Sequence, residues 1–148
     1  MNEHVRPHVL IVSDDQGLSG FLQEGLLIAG FWTSVVASSL QTLELFRLRT
    51  FDAMIVDVAL EGLGADELVQ RLRRTGEGGP RTDIPIVAIA GSAAEISPEL
   101  RRLLGDEAFI LPPIGIADLA MYLFGIVRAW RDAHPDRPWS DRAAQEKT

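Results

Sequence analysis

Two short apolar runs in this chain each end in acid. His8-Val9-Leu10-Ile11-Val12 leads into Ser13-Asp14-Asp15, and Phe51-Asp52-Ala53-Met54-Ile55-Val56 leads into Asp57. Runs of this kind read as strands buried on both faces. Val58-Ala59-Leu60-Glu61-Gly62-Leu63-Gly64, a glycine-bearing loop, follows Asp57. An acid at the carboxyl end of a buried strand sits where open α/β sheets do their ligand chemistry. Three carboxylates packed together repel one another, and a hard divalent cation removes the conflict. Mg²⁺ takes oxygen ligands, needs few carboxylates and keeps several waters. It also clamps a phosphoryl group while a carboxylate attacks it. Asp57 beside Asp14 and Asp15 therefore reads as an aspartate that accepts a phosphoryl group. The plainer alternative is that Asp14 or Asp15 caps a helix and Asp57 shapes a turn.

The elements that must position these acids follow from periodicity. Helical spacing runs from Gln16 to Ala29, with Leu18, Phe21, Leu22, Leu26 and Ala29 on one stripe. Gly30 stands where a left-handed residue closes a helix. Phe31 to Val36 reads as a second strand, and Leu40 to Arg49 as a helix capped by Ser38 or Ser39, with Leu40, Leu43 and Phe46 inward. The Asp57 strand is third. A helix from Ala65 to Arg74 follows, then a glycine-rich loop, Thr75 to Asp83, expected to be mobile. That loop lacks the Lys-Ser/Thr of a P-loop. Ile84 to Ala90 is a fourth strand. Ser97-Pro98-Glu99 starts a short helix to Leu104. Glu107 to Leu111 is a fifth strand, broken by Pro112-Pro113. The last helix runs from Ile114 or Gly115 to about Arg131.

Strand and helix thus alternate five times. Such alternation implies parallel pairing with right-handed crossovers and helices on both faces. The expected fold is α/β: a doubly wound five-stranded parallel sheet in the order 2-1-3-4-5. That order makes strands 1 and 3 neighbours and brings Asp14, Asp15 and Asp57 to the switch point between them. Residues 1–131 read as one domain. Residues 132–148, polar and proline-bearing, read as a flexible tail.

Composition excludes several classes. The net charge of −7 opposes nonspecific binding of nucleic acid, which needs a basic surface. There is no cysteine, so disulfides, thiolate catalysis and cysteine-ligated zinc are ruled out. His4, His8 and His134 lack metal-ligand spacing and are expected at the surface or the ends. The longest apolar stretch, Ile114 to Val127, is too short to span a bilayer and contains Asp118. No signal peptide is visible, and the chain reads as cytoplasmic. Thirteen of the 14 basic residues are arginine, and the one lysine is Lys147.

With these residues in place the chain resembles the receiver (CheY-like) domain of bacterial response regulators. The resemblance covers about residues 7–131. It rests on Val9-Leu-Ile-Val-Ser-Asp14-Asp15, Phe51-Asp-Ala-Met-Ile-Val-Asp57, Ile84-Pro-Ile-Val-Ala-Ile and Phe109-Ile-Leu-Pro-Pro113. It implies that Asp57 is the phosphoacceptor, that Asp14 and Asp15 hold Mg²⁺, and that the Ala59 carbonyl adds a ligand. It implies no enzyme beyond Mg²⁺-dependent self-phosphorylation at Asp57. Phe109 falls at the family's aromatic switch position. Two family positions are degenerate. Ala90 stands where a receiver has Thr or Ser at the end of strand 4, and Pro112 stands in place of its Lys. Glu61 and Ala65 also depart, from the usual Pro and Gly. Ser92, two residues past Ala90, could reach the site from its loop; the plainer reading is a loop serine.

The last helix carries one charge, Asp118, between Ile114 and Val127. Leu119, Leu123, Ile126 and Trp130 form its core stripe, while Met121, Tyr122 and Phe124 lie off it. A helix apolar around most of its girth expects a partner. By the resemblance, that partner is a second copy or another protein on the helix 4–strand 5–helix 5 face. The alternative is that the tail folds back over this face through Trp139. The resemblance further implies a single-domain receiver in a two-component phosphorelay, served by a histidine kinase or phosphotransfer protein. A pseudo-receiver that binds proteins without phosphate is the alternative. Of other classes, a flavodoxin-like ligand binder shares the architecture, but Ser-Asp-Asp after strand 1 repels a phosphate that brings no metal. A phosphatase using Asp57 as nucleophile lacks a general acid, because Ala59 cannot be one.

Overall fold

A computed structural model describes residues 5–74 and 82–145. The strands are β1 (His8–Val12), β2 (Trp32–Val36), β3 (Ala53–Asp57), β4 (Ile86–Ile89) and β5 (Phe109–Ile110). The helices are α1 (Gln16–Ala29), α2 (Ser39–Leu45), α3 (Ala65–Arg73), α4 (Pro98–Leu104), α5 (Ile116–Ala133) and α6 (Asp141–Gln145). All strand pairs are parallel, in the order β2-β1-β3-β4-β5. This is the doubly wound sheet expected from the alternation.

Side chains of a strand alternate between faces, and the core divides accordingly. Leu10, Val12, Met54 and Val56 pack with Leu68, Val69 and Leu72 of α3 and Leu100 of α4. Val9, Ile11, Ile55 and Val87 pack with Leu22 and Leu26 of α1 and Leu119, Leu123 and Val127 of α5. Helices on both faces explain why the strands are apolar throughout. At Gly25, α1 and α5 come so close that a Cβ would meet the Ile116 side chain at 2.5 Å. Gly30 closes α1 at φ +120°, its N–H donating to the Leu26 and Leu27 carbonyls.

Several elements differ from expectation. The hydroxyl of Ser38 accepts Gln41 N–H at 3.1 Å, so α2 starts at Ser39. That phase turns Ser39 and Thr42 inward and leaves Leu40 66% exposed. The Ser39 hydroxyl donates to the Leu63 carbonyl at 2.7 Å and ties α2 to the loop after β3. The glycine-rich segment 75–81, His4 and Lys147 lie outside the described residues.

The segment after α5 is the main correction. It does not trail as a flexible tail up to residue 145. Arg137 makes two hydrogen bonds to Asp83, at 3.0 and 2.8 Å, and these hold Asp83 below the usual carboxylate range. The Arg131 guanidinium lies 3.8 Å over the half-buried Trp139 ring. Ser140 donates its N–H and its hydroxyl to Asp52, at 3.0 and 2.6 Å, and Ala143 is buried. Low overall hydropathy conceals a few residues that each find a specific partner. The segment covers the amino-terminal end of the sheet, opposite Asp57, and not the α4–β5–α5 face.

His8 is the second correction. It is 5% exposed, not a surface residue. It packs against Phe51 and pairs its Nε2 with the Ser34 hydroxyl at 2.8 Å. Burial pushes its imidazole down from 6.5 to about 4. Arg142 and Arg49 add to this and Asp52 opposes it. His134 is half-buried, stacked on Trp130.

Candidate functional site

Asp57 is the last residue of β3, and its neighbours are set by register. Val12 of β1 pairs with Val56, so the residue after Val12 falls beside Asp57. That residue is Ser13, 3% exposed, whose N–H extends the ladder to the Val36 carbonyl at 3.1 Å. Its hydroxyl donates to Asp57 Oδ2 at 2.8 Å. The Ala59 N–H donates to Asp57 Oδ1 at 2.9 Å, closing a turn in the loop. Asp57 is 8% exposed. A buried carboxylate so held is fixed in orientation and keeps lone pairs free for further donors or for attack.

Reasoning from the acids alone passes over Ser13. Counting β1 and β3 back from their ends finds it, because that count sets Ser13 opposite Asp57.

The paired acids separate into two roles. Asp15 is the N-cap of α1, its Oδ1 accepting Leu18 N–H at 3.1 Å. Only three residues part β1 from α1, and the last of them takes the cap. Asp14 is exposed, and its Oδ2 faces Glu61 N–H at 3.4 Å in the loop that carries Ala59. Among the described residues no three histidines or carboxylates gather as a metal centre. Mg²⁺ is held by one or two carboxylates with waters. Asp14, Asp57 and the Ala59 carbonyl fit that donor set in kind, while Asp15 already caps α1 through its Oδ1.

Among the described residues, the far side of the cleft supplies no side-chain donor to Asp57. β4 lies beside β3, with Asp57 paired to Ile89. The next residue is Ala90, 1% exposed, whose methyl group cannot donate. Pro112 is exposed and has no N–H. Ser92 is exposed in the loop after β4, and Asp57 takes its bonds from Ser13 and Ala59 instead. Phe109 begins β5, half-buried against the α3–α4 layer, with Arg101 5.7 Å from its ring centre.

Met121 and Phe124, three residues apart on α5, are both exposed, and Tyr122 is half-buried. The Tyr122 hydroxyl donates to the Glu107 carbonyl at 2.8 Å, just before β5, and burial with Glu107 raises its pKa. Phe124 stacks on Phe31 at 4.1 Å, between α1 and β2. Met121 is the most open of the three, at 73% exposure, and Phe124 keeps 39%. Among the described residues no helix is long and apolar enough to cross a membrane.

No family model matches the chain. It is 32% identical over 112 residues to the regulatory protein VirG of Agrobacterium tumefaciens, covering 75% of this chain and 40% of VirG. It is 26% identical over 141 residues to the transcriptional regulatory protein CseB of Streptomyces avermitilis, covering 94% of this chain and 57% of CseB. The chain therefore spans about half the length of these relatives or less. Among solved structures, a response regulator receiver domain (CheY-like) from Methylobacillus flagellatus superposes with a TM-score of 0.70. It is 27% identical, over 82% of this chain and 98% of that one.

Proposed function

Since the chain is a response regulator receiver (CheY-like) domain, we propose that it serves two-component signalling with Asp57 as its phosphoacceptor. The placement of Asp57 carries this reading. It is a buried carboxylate at the carboxyl end of β3, at the switch point beside β1, with two donors and spare lone pairs. Asp57 supplies the attacking oxygen, and Ala59 N–H and the Ser13 hydroxyl keep the carboxylate turned to the cleft. Asp14, Asp57 and the Ala59 carbonyl would hold Mg²⁺, which when bound supplies positive charge to phosphoryl oxygens. A histidine kinase or phosphotransfer protein in the cytoplasm is the donor that fits this chemistry. The α4–β5–α5 face, with Met121 exposed, is where a second copy would pair.

A second reading is favoured by Ala90 and Pro112. Without donors on the β4–β5 side, the domain binds a protein partner regardless of phosphate. Acetyl phosphate or beryllofluoride with Mg²⁺ separates the two, read by intact mass or by amide shifts in β3. The expected result is modification of the parent chain and none of Asp57→Asn. No Asp57-dependent change at saturating reagent would leave the second reading alone.

A further inference from the structure

The Ser13 hydroxyl oxygen stands in two hydrogen bonds. It donates to Asp57 Oδ2 at 2.8 Å and accepts the Asp15 N–H at 3.1 Å. A backbone N–H can only donate, and an ionised carboxylate can only accept. The single Ser13 proton is therefore committed to Asp57. Asp15 then accepts Leu18 N–H at 3.1 Å, in the first turn of α1. One unbroken chain of bonds joins Asp57 to α1 through Ser13 and Asp15. Among the described residues, no comparable chain of side-chain bonds leaves Asp57 toward β4 or β5. The Ala90 and Pro112 side chains have no donor, and Oδ1 is bonded within its own loop.

We propose that Ser13 is the positioning residue of this site: it holds the Asp57 carboxylate and ties its state to the first turn of α1. The first half rests on reading Asp57 as the phosphoacceptor; the second does not. With acetyl phosphate, a carboxylate oxygen of Asp57 attacks phosphorus. The phosphorus–oxygen bond to acetate breaks, and acetate leaves with the electron pair, so no proton moves. The acyl phosphate that forms no longer carries the carboxylate charge. Ser13 then loses a charge-assisted acceptor, and the Asp15 N–H and α1 cap behind it must readjust.

The test compares the parent with Ser13→Ala, Ser13→Cys and Ser13→Thr. Mass spectrometry follows modification of Asp57 by acetyl phosphate in Mg²⁺. Losing an orienting charge-assisted bond is expected to slow Ser13→Ala roughly tenfold. Ser13→Thr, which keeps the hydroxyl, is expected to restore the rate. Ser13→Cys, close in shape and a weaker donor, is expected between them and serves if Ser13→Ala does not fold. A second measurement needs no phosphate. Asp57→Asn is expected to shift the Asp15 and Leu18 amide resonances in the parent and to leave them in place on the Ser13→Ala or Ser13→Cys background. A parental rate in the alanine and cysteine variants overturns the positioning role. Equal shifts in both backgrounds overturn the link to α1. If the parent itself stays unmodified, the phosphoacceptor reading fails and the amide comparison alone decides for Ser13.

Discussion

Asp52, just before β3, and Asp57, its last residue, stand at opposite ends of the same strand and are almost equally buried, at 5% and 8% exposure. Their surroundings differ. Asp52 accepts His8 N–H at 2.7 Å and both the N–H and the hydroxyl of Ser140. It lies beneath the segment that follows α5. Asp57 accepts one hydroxyl and one N–H, and it faces the open loops at the carboxyl ends of the strands. Burial alone thus does not mark a reactive acid. A carboxylate matched donor for donor and roofed over is an anchor. One left with spare lone pairs at a loop-lined cleft is available for chemistry.

The widest separation between the two is expected in stability. Asp52→Ala strands three donors beneath a covering segment, which costs on the order of 3–5 kcal/mol. Asp57→Ala leaves the buried Ser13 hydroxyl and the N–H of the exposed Ala59 without their acceptor, and costs on the order of 1–2 kcal/mol. Urea unfolding of the two variants measures this. Equal losses would abolish the contrast.

The second effect is a pH dependence seated beside Asp52. His8 holds its imidazole at about 4 when folded, against an ordinary value of 6.5. Between those values the unfolded chain binds the extra proton, so stability is complete above pH 6.5 and declines as pH falls toward 4. The loss reaches on the order of 3 kcal/mol. His8→Gln keeps a polar partner for Ser34 and is expected to flatten the curve over that window. Thermal unfolding across pH tests it, and an unchanged slope would remove His8 from the account. Ser140→Ala comes next. It deletes one charge-assisted bond to Asp52 and keeps the Ser140 N–H, costing about 2 kcal/mol.

The contrast also explains what is legible in the sequence. Strand order and the place of Asp57 follow from apolar runs and helical spacing, which are local signals. The role of Asp52 is hidden because its donors come from His8 and Ser140, distant in sequence and, for Ser140, in a segment with no periodicity. Leu40 is misplaced by an apolar count because a cap hydroxyl sets the phase of α2. Asp15, read as a metal ligand, also caps α1, a role that its place immediately before the helix already offers. Ser13 escapes notice because a small residue between a strand and two acids has no pattern of its own; only register reveals it.

The smallest effect tests the other wall of the Asp57 cleft. Ala90 is 1% exposed and follows Ile89, the partner of Asp57 across the β3–β4 ladder. Ala90→Ser adds one small hydroxyl on a side where, among the described residues, no side-chain donor reaches Asp57. A neutral bond to a phosphoryl oxygen nets about 1 kcal/mol, roughly fivefold in an equilibrium. The variant is expected to raise the fraction of Asp57 modified at limiting acetyl phosphate by that factor. It is also expected to send new amide shifts into β4 and β5, where the parent responds chiefly through α1. Mass spectrometry and amide spectra of the two proteins read both effects. If the parent already shifts β4 and β5 as strongly as the variant, the asymmetry between the two walls of the cleft is wrong. The missing donors at Ala90 and Pro112 would then be of no consequence for what the domain transmits.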